Sequence, residues 1–317
     1  MNLIDVTIRE SVYLKRGMTK EKSLKYLKQY VKLMPFEEVQ DVEICFLDNK
    51  TEGTLLYDED YIRSAYEITK GKYGLVAVLH PAKVNLRKWN PLVIQKFHTV
   101  RLMLNNEPDP QAEVIIDYLH DLGVEVSLNI IYASRKDEQF ISQWVDVAHR
   151  HGVEWFAFAD SSGSCLPQDV KEDLEYVRTI DDTMKLNYHL HDHFGTAMAN
   201  ALTCCPMVDI MDCSIHGIGK GGGNLSMENL VFACRKMENK EISADSVCRY
   251  ARLLKFLVAD ILEEDWDQVA EEYANLLVGV FDRNLKEIAD AENKAEGDYF
   301  KLFRLLCGEN GSRKDRT

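Results

Sequence analysis

An alternation of strand-like and helix-like segments runs through most of this chain and constrains its fold more than any other feature. Short apolar segments, such as residues 3–8, 100–104 and 124–131, are each followed by a segment with apolar residues at helical spacing. The pattern repeats eight times between residues 1 and 238 without a low-complexity linker. Such alternation is typical of parallel strands joined by helices. Eight units predict a (β/α)8 or TIM barrel, of class α/β, rather than an open sheet.

Local signals predict where several of these elements begin. Thr19 is placed to cap one helix, Asn90 followed by Pro91 predicts the start of another, and Ser134 is expected to cap a third that runs to about residue 151. From residue 239 onward, apolar residues at helical spacing predict additional C-terminal helices. We therefore expect a catalytic barrel over residues 1–238 and a helical extension over residues 239–317.

Composition excludes several classes of protein. No apolar run approaches the roughly 18 residues that a membrane span needs, although 46% of the residues are hydrophobic. The net charge of −14 argues against a nucleic-acid surface, which needs clustered lysine and arginine. The eight cysteines show no CxxC spacing. Reduced thiols and the lack of a signal peptide after Met1 predict a cytoplasmic protein.

Two histidines stand at the carboxyl end of the seventh predicted strand, residues 185–191. His189 and His191 are two residues apart, so in a strand both imidazoles project from the same face. Neutral imidazole is a common ligand for divalent metals, which makes this pair a candidate metal site. Alternatively, the two are simply polar side chains where a strand leaves the barrel.

Polar residues also stand at or near the ends of other predicted strands. Glu10 with His189 and His191 would supply one oxygen and two nitrogens, leaving metal positions open for water or substrate. In a barrel, the carboxyl ends of all strands meet at the catalytic face. Each polar residue could instead cap a helix or hold a neighbour by a hydrogen bond. Besides Glu10, the residues concerned are Arg9, Glu43, Asn129, Asp160, Ser161 and Asp212.

Three segments resemble motifs of the DRE-TIM metallolyase superfamily, which includes 4-hydroxy-2-oxovalerate aldolases, HMG-CoA lyases, and isopropylmalate and homocitrate synthases. They are Asp5-Val-Thr-Ile-Arg-Glu10, His189-Leu-His191 and Gly217-Ile-Gly-Lys-Gly-Gly-Gly-Asn224, in this order at predicted strands one, seven and eight. The resemblance covers residues 1–238. It implies a TIM barrel that makes or breaks a carbon–carbon bond beside a 2-oxo acid, with a divalent metal as cofactor (Mn, Mg, Zn or Co).

The resemblance also implies roles for individual residues. Glu10, His189 and His191 would be metal ligands, with Asn224 as a fourth ligand or a residue that supports one. Arg9 would polarise the enolate oxygen, Glu43 would orient Arg9, and His193 or Tyr13 would be the general base. The residues expected to bind substrate are Asn129, Asp160, Ser161, Lys220 and Gly222.

The chain departs from the superfamily pattern at several places. Glu10 follows the arginine where most members have Asp, although homocitrate synthases have Glu there. Tyr13 stands where the valerate aldolases have a catalytic His. The glycine-rich loop lacks the cysteine of HMG-CoA lyases, and the chain lacks the long regulatory domain of isopropylmalate synthases.

These features favour a cytoplasmic, homodimeric aldolase or lyase, similar to 4-hydroxy-2-oxovalerate aldolase, that acts on a 2-oxo acid and binds neither nucleic acid nor a membrane. One alternative is an acyl-CoA condensing synthase of the homocitrate or isopropylmalate type. A second is a metal-dependent amidohydrolase, but its HxH pair belongs to strand one, whereas this pair is on strand seven. A third is a degenerate barrel that acts as a binding protein.

Overall fold

Eight parallel strands pair in chain order, and β1 pairs with β8 to close a barrel. The computed structural model describes residues 1–48 and 55–308. The predicted TIM barrel is confirmed. The strands are β1 (Asn2–Asp5), β2 (Val39–Phe46), β3 (Gly74–Leu79), β4 (Thr99–Leu104), β5 (Glu125–Ile131), β6 (Trp155–Asp160), β7 (Lys185–Leu190) and β8 (Ile210–Cys213).

Helices connect the strands and continue after β8, so the predicted C-terminal helices are confirmed. A π-helical segment, Phe256–Leu262, follows α10 directly. The α-helices are α1 (Thr7–Glu10), α2 (Lys20–Leu33), α3 (Glu59–Thr69), α4 (Pro91–Ile94), α5 (Pro110–Asp121), α6 (Glu138–His151), α7 (Pro167–Ile180), α8 (Ala197–Cys204), α9 (Met227–Met237), α10 (Ala244–Lys255), α11 (Trp266–Phe281), α12 (Leu285–Ala295) and α13 (Tyr299–Cys307).

The chain divides into two compact units. The first joins Met1–Leu24 to Glu38–Met227 and contains all eight strands. The second joins Lys25–Glu37 to the chain from Glu228 onward. The domain boundary expected after residue 238 stays a prediction.

Aromatic side chains form the core of the second unit. The Phe36 ring packs against Phe232 and Tyr250 at centroid distances of 5.6 and 4.7 Å. The Tyr250 hydroxyl donates to the buried carboxylate of Glu228 at 2.6 Å, which satisfies both polar groups inside this apolar core.

An apolar cluster fills part of the barrel interior in the first unit. Ile4, Val6, Val76 and Ile210 are buried together, and Trp155 packs against them. Val76 is on β3, which is not a neighbour of β1 or β8 around the barrel, so it can meet Ile4 and Ile210 only inside it. Burial of each such aliphatic side chain contributes about 1.5–3 kcal/mol to stability.

The first strand is shorter than predicted. β1 ends at Asp5, whereas residues 3–8 were expected to form one strand, and residues 7–10 are helical instead. The Asp5 carboxylate accepts hydrogen bonds from the backbone N–H of Thr7, at 2.8 Å, and from its hydroxyl. This side-chain turn ends the strand despite the β-branched residues that follow. It also brings Arg9 and Glu10 to the end of the barrel.

Two of the three predicted helix caps are correct. The Asn90 side chain accepts from Leu92 N–H at 3.1 Å, and the Thr19 hydroxyl accepts from Lys22 N–H at 3.2 Å. The predicted cap at Ser134 is wrong, because this residue lies in the 3₁₀ turn Ala133–Arg135. Asp137 caps α6 instead, since its carboxylate accepts from Phe140 N–H at 2.9 Å.

The other class expectations concern cysteines and membranes. None of the eight cysteines forms a disulfide, and Cys204 of the adjacent pair is buried. In the part of the chain that the structure describes, no helix combines the length and apolarity that a membrane crossing requires.

Candidate metal centre

Three side chains that the sequence singled out lie together at one end of the barrel. One potential ligand atom from each of Glu10, His189 and His191 lies within 4.8 Å of those of the other two, and all three residues are buried. Glu10 ends α1, His189 is in β7, and His191 follows β7 directly. The turn after β1 and the two-residue period of β7 therefore bring one carboxylate and two imidazoles together. Among residues 1–48 and 55–308, this is the group suited to a metal ion.

The His189 ring is held by a carboxylate behind it. Its Nδ1 lies 2.9 Å from Asp212 Oδ2, and its Nε2 lies 3.7 Å from Glu10 Oε1. Because the Asp212 carboxylate can only accept, Nδ1 carries the proton and Nε2 presents a lone pair toward Glu10. Metal-binding histidines commonly use this arrangement, in which the second ring nitrogen donates to a carboxylate.

His191 and Asn224 leave polar atoms without partners inside the protein. His191 is backbone-paired with Asn224 across an isolated bridge. The Nδ1 of His191 and the Oδ1 of Asn224 are buried, and neither has a hydrogen-bond partner among the described residues. Burial, followed by the nearby His189 and Arg9, lowers the pKa of His191 to about 2. The ring is therefore neutral and able to act as a ligand, so these residues fit a bound cation.

Arg9 lies between two carboxylates and keeps one nitrogen unengaged. Its Nε donates to Glu43 Oε1 at 2.5 Å, and its Nη1 pairs with Glu10. Within the described parts of the chain, Nη2 has no hydrogen-bond partner. Glu43 is fully buried, whereas Arg9 is 8% exposed. The predicted orienting contact from Glu43 to Arg9 is present.

Arg101, on β4, is a residue of this site that sequence reasoning missed. It is only 1% exposed, and its Nη1 donates to Glu43 at 3.0 Å while its Nη2 pairs with Asp212 at 2.6 Å. β4 and β8 lie on opposite sides of the barrel, so this guanidinium reaches across the interior. The available signal was a charged residue inside the apolar run of residues 100–104.

Together these contacts form a closed ring, from Glu10 through Arg9, Glu43, Arg101, Asp212 and His189 back to Glu10. Burial alone would raise the pKa of Asp212, but Arg101 and the His189 hydrogen bond outweigh it and hold that pKa below its usual value. The ring contains three carboxyl groups and two guanidiniums. Apart from the imidazoles, acidic groups thus outnumber basic groups by one, which favours a cation beside the ring.

The glycine-rich loop after β8 folds over the same end of the barrel. The backbone N–H of Lys220 donates to Glu10 Oε2 at 3.3 Å, and the Lys220 side chain is exposed. A Cβ on Gly219 would lie 2.6 Å from the Asn224 side chain, so glycine is required there. Gly222, predicted to bind substrate, lies in this loop and is exposed.

His193, one of the two predicted bases, lies close to glycines of two loops. Its exposed ring lies 5.5 Å from that of His191, measured between centroids. A Cβ on Gly163 would lie 2.6 Å from His193 Nδ1, and one on Gly221 would lie 2.1 Å from Nε2. The loops after β6 and β8 therefore fix this imidazole from two sides.

The close approach of Gly221 to His193 leads to a testable prediction. If His193 is the predicted base, Gly221→Ala should lower turnover by about 10- to 100-fold, because displacement of a catalytic group is costly. It should also cost about 1–2 kcal/mol of stability, since Gly221 has a left-handed φ of +65°. Gly152→Ala is the matched control, with φ +67° and nothing within 4 Å of the added Cβ. Urea denaturation and initial rates would be compared. Equal turnover in both variants would contradict a role for the His193 position.

The remaining predicted residues lie close to the strand ends. Asn129 is buried, and with its amide oriented so that the oxygen faces Arg101, that oxygen accepts from Arg101 Nε and Nη2 at 2.8 and 2.7 Å. The Asp160 carboxylate accepts from the backbone N–H groups of Ser164 and Cys165, at 3.1 and 2.9 Å. The other two are Ser161, whose hydroxyl accepts from Tyr132 N–H at 3.1 Å, and Tyr13, which is 45% exposed. Direct substrate contacts by these side chains stay predictions.

Similarity to known proteins agrees with this site. The HMGL-like family model matches residues 103–254, a range that includes both histidines and the glycine-rich loop. A 4-hydroxy-2-oxovalerate aldolase of Cupriavidus necator is 25% identical over 290 residues, covering 87% of this chain and 83% of that protein. These matches are to members of the DRE-TIM metallolyase superfamily, which the chain resembles. The resemblance predicted from the three motifs is thus confirmed.

The chain is also similar to a synthase in sequence and to a lyase in structure. A 2-isopropylmalate synthase of Aquifex aeolicus is 25% identical over 230 residues, covering 66% of this chain and 43% of that protein. The structure of hydroxymethylglutaryl-CoA lyase from Pseudomonas aeruginosa superimposes with a TM-score of 0.63 at 12% identity. It covers 86% of this chain and 97% of that one, and it supports the fold alone.

Proposed function

We propose that this protein is a divalent-metal-dependent aldolase or lyase that forms or cleaves a carbon–carbon bond beside the carbonyl of a 2-oxo acid. The observation that carries the proposal is the buried Glu10, His189 and His191 cluster, with the His189 tautomer set by Asp212. The names of the aldolase relatives support the reaction class.

Glu10 and the two histidines would hold the ion, and Asn224 Oδ1 offers a fourth donor. A divalent ion, when bound, supplies Lewis acidity toward the carbonyl and carboxylate oxygens of a 2-oxo acid. The donor set of carboxylate and imidazole admits Mn, Mg, Zn or Co.

Arg9 is suited to the oxygen that gains negative charge as the substrate enolises. Two of its nitrogens are fixed on Glu10 and Glu43, so the guanidinium plane is held before substrate arrives. Its Nη2 has no partner in residues 1–48 and 55–308 and is free to donate to that oxygen. A donor that is already oriented stabilises the transition state without reorganising during the reaction.

A general base must remove a proton from the substrate carbon or return one to it. We assign this role to His193, because its imidazole is exposed, lies 5.5 Å from the His191 ring and is fixed by the glycines around it. Tyr13 is the second candidate, and its ring lies 5.9 Å from Lys220 Nζ. Lys220 and Gly222 of the glycine-rich loop would receive the substrate carboxylate.

The metal is tested first. We expect the purified protein, dialysed against each metal separately, to bind about one ion per chain with at least one of Mn, Zn, Co and Mg. His189→Ala and His191→Ala should each lower occupancy sharply without unfolding the barrel. His149→Ala is the control, because His149 is a surface residue whose partner is Asp181. Full occupancy in both site variants would reject the metal assignment.

The reaction class is tested without knowing the second substrate. Enolisation requires only the 2-oxo acid, so the loaded protein should exchange the methyl hydrogens of pyruvate with deuterium from heavy water. Mass spectrometry would measure this exchange, and chelation should abolish it. A metal-loaded protein that exchanges no hydrogen in pyruvate or in longer 2-oxo acids would contradict the proposal. Either the acyl-CoA condensing synthase or the degenerate binding protein would then be favoured.

A second candidate function is an acyl-CoA condensation, which the similarity to 2-isopropylmalate synthase favours. The two candidates differ in the electrophile: an aldehyde in the aldol reaction, and a 2-oxo acid attacked by the acyl group in the condensation. Incubation of 2-oxo acids with aldehydes or with acetyl-CoA, read by product mass, distinguishes them. Release of free thiol from acetyl-CoA would favour the condensation.

We extend the proposal to the location and assembly of the protein. The absence of disulfides among the eight cysteines supports a reducing compartment such as the cytoplasm. A homodimer is proposed on the superfamily resemblance alone. Light scattering during size-exclusion chromatography would test it against the chain mass of 36.4 kDa.

A further inference from the structure

Arg101 is a deeply buried cation inside the barrel. Its side chain contacts residues of several strands. Its side chain starts from β4 and is 1% exposed. It meets Glu43 of β2 at 3.0 Å, Asp212 of β8 at 2.6 Å and Asn129 of β5 at 2.7–2.8 Å. A single guanidinium therefore contacts three other strands inside the barrel.

Each carboxylate partner of Arg101 also binds one functional side chain. Asp212 Oδ2, which pairs with Arg101, also accepts from His189 Nδ1 at 2.9 Å. Glu43 accepts from Arg101 on Oε2 and from Arg9 on Oε1. Arg101 is thus linked to the candidate ligand His189 through Asp212, and to the candidate oxyanion donor Arg9 through Glu43.

We propose that Arg101 is a positioning residue that fixes His189 through Asp212 and Arg9 through Glu43. The inference rests on the proposed function, in which His189 binds the metal and Arg9 faces the substrate. Arg101 touches neither the reacting atoms nor the ligand atoms. Its effect is to hold two buried carboxylates at fixed positions.

The geometry explains why this position requires arginine. The planar guanidinium presents donors in several directions at once, so one side chain bonds both carboxylates and the Asn129 amide. A lysine ammonium is a point charge on a flexible chain and cannot reproduce three contacts on three different strands. Arg101→Lys therefore keeps the positive charge but loses the directed hydrogen bonds. The variant distinguishes a positioning role from one of charge neutralisation alone.

The test measures metal affinity by isothermal titration calorimetry with Mn²⁺ and Zn²⁺, each alone. We expect Arg101→Lys to weaken binding by about 10- to 100-fold, the range found when a residue supporting a metal-binding histidine is changed. Arg150→Lys is the matched control, because Arg150 makes a two-bond pair with Glu113 at 3.0 and 3.2 Å on the surface. It should bind metal like the unmodified protein. Unchanged affinity in a folded Arg101→Lys protein would overturn the proposal.

A second readout does not depend on metal. In the unmodified protein, ¹⁵N NMR of the histidine rings should show His189 protonated at Nδ1. In Arg101→Lys we expect a mixture of tautomers, because Asp212 is no longer fixed. A purely structural Arg101 would lower the melting temperature and leave the tautomer unchanged, which contradicts positioning. Absence of metal binding by the unmodified protein would reject the proposed function, while the tautomer measurement would still decide the role of Arg101.

A milder variant covers the case in which Arg101→Lys does not fold. Asn129→Ala removes the one amide oxygen that accepts two hydrogen bonds from Arg101 and leaves its pairs with Glu43 and Asp212. We expect a several-fold loss of metal affinity and a partial tautomer change in the same direction. A folded Asn129→Ala protein with unchanged affinity and tautomer, alongside an Arg101→Lys protein that does not fold, would assign Arg101 to stability and overturn positioning.

Discussion

Arg9→Lys should lower turnover by about 100- to 1000-fold while metal content stays near that of the unmodified protein. Loss of one oriented oxyanion donor typically costs about 2.7–4 kcal/mol in the transition state. Lysine keeps the positive charge between Glu10 and Glu43, but it cannot hold both carboxylates and still direct a third donor at the substrate. The rate of pyruvate deuteration and the metal stoichiometry would be measured on the same preparation.

Arg9→Ala distinguishes chemistry from structure at the same position. It should be at least as slow as Arg9→Lys and also less stable, because two buried carboxylates lose a counterion. If Arg9 were only structural, both variants would show lowered melting temperatures with near-normal rates in the folded fraction. A rate within a few-fold of the unmodified protein in Arg9→Ala would remove Arg9 from the mechanism.

Glu43→Gln should lower the free energy of unfolding by about 3–5 kcal/mol, the usual loss when one partner of a buried ion pair is removed. Glu43 is fully buried between Arg9 and Arg101, and glutamine matches its size. The substitution therefore removes a negative charge, so the buried guanidiniums of Arg9 and Arg101 lose a counterion. Urea denaturation of the metal-free protein, at neutral pH, gives the comparison directly.

The surface offers a control for this large stability effect. Glu113 also accepts two hydrogen bonds from an arginine, Arg150, but the Arg150 side chain is 56% exposed. Exposed ion pairs contribute at most about 1 kcal/mol, so Glu113→Gln should change stability little. A similar small loss in Glu43→Gln would mean that water reaches the interior ring, contrary to its burial.

The sequence predicted the parts of the site that depend on short-range periodicity. Two histidines at i and i+2 in a strand must share a face, and His189 and His191 do approach each other, with ring centroids 4.9 Å apart. The barrel itself was predictable, because eight alternations of apolar strand and amphipathic helix leave few other folds.

What the sequence did not reveal depends on contacts between distant segments or on a single side chain. Arg101 was overlooked because a charged residue within a strand gives no sign of its partners, which come from β2 and β8. The end of β1 was misplaced because Val6, Thr7 and Ile8 favour a strand. One local hydrogen-bonding residue, Asp5, overrides that preference.

The pairing of the first strand with the last has a consequence for how the protein acquires its ion during synthesis. The backbone N–H of Ile215 donates to the Thr7 hydroxyl at 2.8 Å, a contact between residues 208 positions apart. Glu10 follows β1, whereas His189 and its supporting Asp212 belong to β7 and β8. A nascent chain on the ribosome therefore lacks a complete ligand set until nearly all of the barrel has emerged. An ion that binds only the closed form would then stabilise the last strand pairing against reopening, and metal uptake would report on completed folding.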